Sequence, residues 1–117
     1  MKILSKLLIA SAISTTMLTG AMASDDAMIE KGKEIFMTKN KGNCLACHAV
    51  NGVAINGPGM LGPKLQALQY WPEKALYDKI YDPYTTNPIS AMPAFGKNGW
   101  LSDEEIDAVV AFLKTIK

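Results

Sequence analysis

Two thiols three positions apart, followed at once by an imidazole, make up the stretch Cys44-Leu45-Ala46-Cys47-His48. On one turn of helix the two sulfurs can each bond a vinyl group of a porphyrin, and the adjoining ring nitrogen can reach the iron. C-x-x-C-H is the attachment motif of a c-type haem. A structural disulfide, a redox dithiol and part of a zinc site compete for the same residues. A redox C-x-x-C is expected near a βαβ pattern, which this sequence does not show. Structural zinc needs four Cys or His ligands, and the chain has two Cys and one His. One covalently held haem c per chain, on Cys44 and Cys47 with His48 on the iron, is the chemistry this spacing supports.

With no second His, any further iron ligand from this chain is not imidazole. Past the amino-terminal segment the methionines are Met28, Met37, Met60 and Met92. The first two belong to a helical stretch, where core packing accounts for them. Met60 follows His48 closely, in a loop assigned to the same face of the ring. Met92 lies beyond a complete helix, in a loop able to cover the opposite face. Met92 is therefore favoured as the sixth ligand over Met60, with an open or water-ligated site as a third possibility. A thioether favours the reduced metal, and a closed His/Met site suits electron transfer better than chemistry on a bound substrate.

The elements that must position these groups are a few helices and two irregular loops. Asp25 or Asp26 can cap a first helix running to about Thr38, with Met28, Ile29, Gly32, Ile35 and Phe36 on one face. Gly32 on that face implies close approach of another helix, unless the glycine is merely tolerated. From Ala49 to Pro63 the composition turns to Gly, Asn and Pro, which exclude regular structure. A ligating His normally donates its second ring N–H to a carbonyl, and Pro63 is the candidate acceptor, an ordinary surface turn being the alternative. Trp71-Pro72-Glu73 opens a helix that should end near Tyr81, before Pro83. Tyr84 to Asn98 is irregular again. Ser102 and Glu105 form a capping box for a last helix carrying Ile106, Val109, Val110, Leu113 and Ile116. The expected fold class is all-α.

Lys2, Lys6, the apolar run from Leu7 to about Leu18 and Ala21-Met22-Ala23 read as a secretory signal over residues 1–23, cleaved before Ser24. The run is too short and too often interrupted by hydroxyl residues to read as a membrane anchor. The domain is then residues 24–117, with ten Lys against eleven Asp plus Glu, no Arg and a formal charge of −1. Nothing in that balance points to nucleic acid or to a membrane surface. A chain this short has a marginal core, which a buried porphyrin would complete. Both thiols are used by the haem, so no catalytic cysteine is left, and export is consistent with a periplasmic location.

The chain as a whole resembles the class I cytochromes c. The matching residues are Gly32 and Phe36 on the first helix, C-x-x-C-H, Gly62-Pro63-Lys64-Leu65, the methionine loop and the last helix. That likeness implies crossed terminal helices, with Gly32 and Phe36 facing the region of Val109 and Phe112. Within the class, the stretches from Gly42 to His48 and from Gly57 to Pro63, with Asn87-Pro88 and Met92-Pro93-Ala94-Phe95-Gly96, are similar to the SoxX family. This family is the monohaem subunit of the sulfur-oxidation cytochrome. The likeness implies a heterodimer with a larger SoxA-like subunit in the periplasm. There thiosulfate is joined oxidatively to a cysteine of a carrier protein, a cysteine S-thiosulfotransferase reaction. The large subunit bears the reactive thiol, and the small one, not catalytic alone, passes electrons to a downstream acceptor. A free diffusible carrier serving an oxidase or peroxidase is the alternative, and a haem-based sensor with a labile sixth ligand a third. Lys31, Lys33, Lys39 and Lys41 could form a carrier's docking ring, or simply a solvated helix face.

Overall fold

In a computed structural model, residues 20–54 and 57–117 are described, with side chains from residue 25 onward. Three α-helices, α1 (Gly20–Met37), α2 (Glu73–Tyr81) and α3 (Asp103–Leu113), are joined by long irregular segments with three short 3-10 turns. No strand occurs among the described residues; a single parallel bridge pairs Val50 with Leu65. The fold is all-α, as the sequence leads one to expect.

Helix α3 begins where its chemistry dictates. The Ser102 hydroxyl accepts from the Glu105 N–H at 3.2 Å, and the Glu105 carboxylate accepts from the Ser102 N–H at 3.1 Å, so two otherwise unpaired donors are satisfied. Three acidic residues in its first turn complement the helix dipole. Although Ile116 continues the apolar spacing, the helix stops at Leu113, and Ile116 is buried from the following turn. Helix α2 has Pro72 as its N-cap rather than in its first turn, and ends at Tyr81 ahead of Pro83.

The start of α1 differs from the expected cap at Asp25 or Asp26. Its backbone is helical from Gly20. Ala21, Met22 and Ala23 are good helix formers, and nothing between them and Asp25 interrupts the hydrogen-bond ladder. The secretory signal assigned to residues 1–23 otherwise lies outside the described residues.

Helices α1 and α3 form the principal contact of the molecule, with α2 packed on α3. Gly32 explains how closely α1 and α3 approach. A Cβ at that position would run into the Ala108 backbone carbonyl and stand 3.0 Å from the Phe112 Cβ. Beside it, Phe36 meets Phe112 edge-on with ring centroids 5.3 Å apart. Phe36, Ile106 and Val109 are wholly buried at this crossing. The core is thus centred between the terminal helices, and a turn over residues 38–43 carries the chain from the end of α1 to Cys44.

Candidate haem site

Asn43 takes a left-handed conformation with φ 48° and opens the turn. The following Cys44–Ala46 is a 3-10 turn, tighter than the α-turn the motif evokes, and the N–H groups of Cys47 and His48 both donate to the Cys44 carbonyl, at 3.1 and 2.9 Å. Both cysteines are unbridged. The Cys44 thiol packs against the core, and burial pushes its pKa up to about 12, so it is uncharged at neutral pH.

The segment after His48 folds back onto this turn. Leu65 N–H donates to Ala49 O at 2.8 Å and Asn51 N–H to Leu65 O at 2.9 Å, closing the base of the loop. Gly59 N–H donates to Leu45 O at 2.9 Å and Gly62 N–H to Cys47 O at 2.8 Å, stapling its far side to the motif. What the Gly/Pro-rich loop wraps is therefore the C-x-x-C-H turn.

His48 Nδ1 lies 2.7 Å from the Pro63 carbonyl oxygen, the acceptor proposed from the sequence. A carbonyl only accepts, so Nδ1 carries the proton, and in the neutral ring Nε2 then keeps its lone pair, the tautomer a metal ligand requires. Gly62 makes this approach possible: a Cβ there would stand 2.8 Å from each ring nitrogen. The donor set fits haem c: two unbridged thiols on one turn and an imidazole with a ring nitrogen free to take iron. A zinc reading finds no support in the geometry, since among the described residues no three His, Cys, Asp or Glu side chains cluster.

Met92 is half-buried and packs on the hydrophobic core, in a loop between α2 and α3. Met60 points away from the body at 93 % exposure, with Leu61 beside it at 73 %. Tyr77 and Tyr81 stack on each other with centroids 6.0 Å apart, and Tyr77 OH donates to Asp103 at 2.8 Å. Trp71 and Tyr70 are exposed.

Two tertiary ties were not anticipated from the sequence. Lys41, three residues before Cys44, donates to Glu105 Oε2 at 3.0 Å, joining the haem turn to the first turn of α3. Lys114 donates to the carbonyls of Gln69 at 2.7 Å and Trp71 at 2.5 Å, clamping the approach to α2. A lysine beside a glycine-rich turn carries no local signal of a partner so far along the chain.

Residues 27–113 match the family described as cytochrome C oxidase, cbb3-type, subunit III. The chain belongs to this family of c-type cytochrome domains. Membership implies haem c as the cofactor and electron transfer as the role of the domain. A chain in the crystal structure of SoxXA from P. pantotrophus superposes on this cytochrome with a TM-score of 0.66 at 30 % identity, covering 74 % of this chain and 79 % of that one. The class I cytochrome c fold and the likeness to SoxX read from the motifs therefore hold. An uncharacterized lipoprotein of Aquifex aeolicus (strain VF5) is 40 % identical over 75 residues, 62 % of this chain. The cytochrome spans only 36 % of that relative's length.

Proposed function

We propose that this cytochrome is the small haem subunit of a SoxAX-type complex in the periplasm. In this reading it takes away the electrons released when thiosulfate is joined to a carrier-protein cysteine on a larger SoxA-like subunit. The likeness to a SoxXA chain at 30 % identity over most of both chains is the observation that carries this reading. Cys44 and Cys47 would hold one haem covalently, and His48 Nε2 and the Met92 sulfur would bind its iron. When bound, the haem supplies a one-electron iron couple whose potential a His/Met pair raises. Pro63 holds the His48 ring and its tautomer, and the stapled Gly59–Gly62 backbone keeps the proximal loop against the haem turn. Both thiols of the chain lie in that turn, which agrees with the nucleophile of the coupling reaction belonging to the partner. Export through the segment 1–23 places the domain where the complex works.

An interface with a permanent partner is larger and more apolar than a transient redox contact. Met60 and Leu61, exposed on a loop without a charged residue between Ala49 and Pro63, favour that kind of contact. The test is reduction of the haem by thiosulfate and carrier protein, with and without the larger subunit. Reduction is expected only with it, and the two subunits should stay together on gel filtration in high salt, which screens contacts between exposed charges. A salt-insensitive monomer that exchanges electrons rapidly with an oxidase would support the second reading, a diffusible periplasmic carrier. That reading draws on the oxidase description of the matching family.

A further inference from the structure

The backbone that delivers Met92 is fastened unequally on its two sides. Downstream, Ala94 and Phe95 are buried, and the Phe95 carbonyl accepts from Trp100 N–H at 2.9 Å and Leu101 N–H at 3.1 Å. Upstream, Asn87, Pro88, Ile89 and Ala91 are exposed, Ile89 at 92 %. Between them Ser90 is half-buried, and its own N–H donates to the Asn87 carbonyl at 3.0 Å. The Met92 N–H donates to Ser90 Oγ at 3.1 Å, and that hydroxyl lies 3.5 Å from the Met92 carbonyl, to which it can donate. Among the described residues, no other hydrogen bond reaches the backbone of Ala91 or Met92.

Pro93 fixes its own φ and confines Met92 to extended backbone, so the chain beyond Met92 has little freedom. Freedom to swing away is therefore concentrated upstream, where the Ser90 hydroxyl closes a local turn around the Met92 N–H. We propose that Ser90 is a positioning residue, a latch that holds the Met92 backbone so that its thioether stays on the haem iron and yields slowly to incoming ligands. The proposal rests on Met92 being the axial ligand. It assigns control of lability to a residue two positions away, whose hydroxyl is bonded to the Met92 backbone.

The experiment uses the full holo-cytochrome and its variants Ser90→Ala, Ser90→Thr and Met92→Ala. The readouts are the sulfur-to-iron band of the ferric form, the rate of cyanide binding, and exchange of the Met92 amide proton. Loss of one hydrogen bond of ordinary net strength should speed both cyanide binding and Met92 amide exchange about fivefold in Ser90→Ala. The unfolding midpoint should barely move, and Ser90→Thr, which keeps the hydroxyl, should restore wild-type rates. If Met92→Ala abolishes the band while Ser90→Ala leaves both rates at wild-type values, the latch is wrong and the ligand assignment stands. Failure of Ser90→Thr to restore the rates would also overturn the latch. A band that survives Met92→Ala removes the ligand assignment, and the latch with it.

Discussion

His48 depends on two neighbours that contribute no side-chain chemistry. Pro63 offers only a backbone carbonyl, and Gly62 only the absence of a side chain. Pro63→Ala keeps the acceptor and should alter stability only through added loop freedom, by about 1 kcal/mol or less. Gly62→Ala should be far more disruptive, because its Cβ would occupy space held by the imidazole. A shifted reduction potential and a weakened Nδ1–H···O bond are expected in that variant, measured by potentiometry and imidazole proton NMR. Equal behaviour of the two variants would contradict the geometry. Pro63 was legible as a candidate from its place in a Gly/Pro loop after the motif, but its competitor, a plain surface turn, leaves the same sequence pattern.

At the scale of elements, the crossing of α1 and α3 and the tie from Lys41 to Glu105 bring the haem turn and the last helix together. Gly32→Ala gains about 1 kcal/mol of helix propensity. The added methyl, however, meets the Ala108 backbone carbonyl, which cannot rotate away like a side chain, and overpacking of this kind costs about 1–3 kcal/mol. Net destabilisation is expected, read as a lower urea midpoint with unchanged slope. The Glu105 carboxyl is held below its usual range by the Ser102 N–H first and the Lys41 ammonium second. Its folded form favours the charged state, so the stabilisation is full above the ordinary carboxylate value and is lost as pH falls through that value toward the lower folded one. Glu105→Gln should therefore lower stability at neutral pH and flatten its acid dependence in that window, by urea denaturation across pH. An unchanged acid limb would show that this cap and ion pair contribute nothing.

For the whole molecule, a small domain has a marginal core, and no residue of the Cys44–His48 turn is fully buried in it. A covalent porphyrin would supply further apolar burial there. Cys44→Ala and Cys47→Ala should each lose one thioether bond and thermal stability, and the double variant, with no thioether left, should release any haem on acid-acetone extraction, whereas the wild type retains it. Mass spectrometry of the exported protein is expected to find its amino terminus at Ser24. Cleavage there would shorten α1 to a helix opening on Asp25 and Asp26, which suit the positive end of the helix dipole. An intact Met1 on the exported protein would remove the signal assignment.

What the amino-acid sequence determined alone is whatever is encoded by short-range spacing. The C-x-x-C-H motif, the Ser102/Glu105 capping box and the stop of α2 before Pro83 each need only a few neighbouring residues. The tertiary structure decided the contacts between residues far apart in the chain: Gly32 on Ala108, Lys41 on Glu105, Lys114 on the carbonyls before α2, and the proximal loop stapled back onto Leu45 and Cys47. These depend on how helices cross and loops close, and a glycine or lysine has the same local pattern whether or not a distant partner arrives. The Ser90 latch lies between the two cases. Its spacing from Met92 is visible in the sequence, but its importance follows from the exposure of one side of that loop and the burial of the other, which only packing creates.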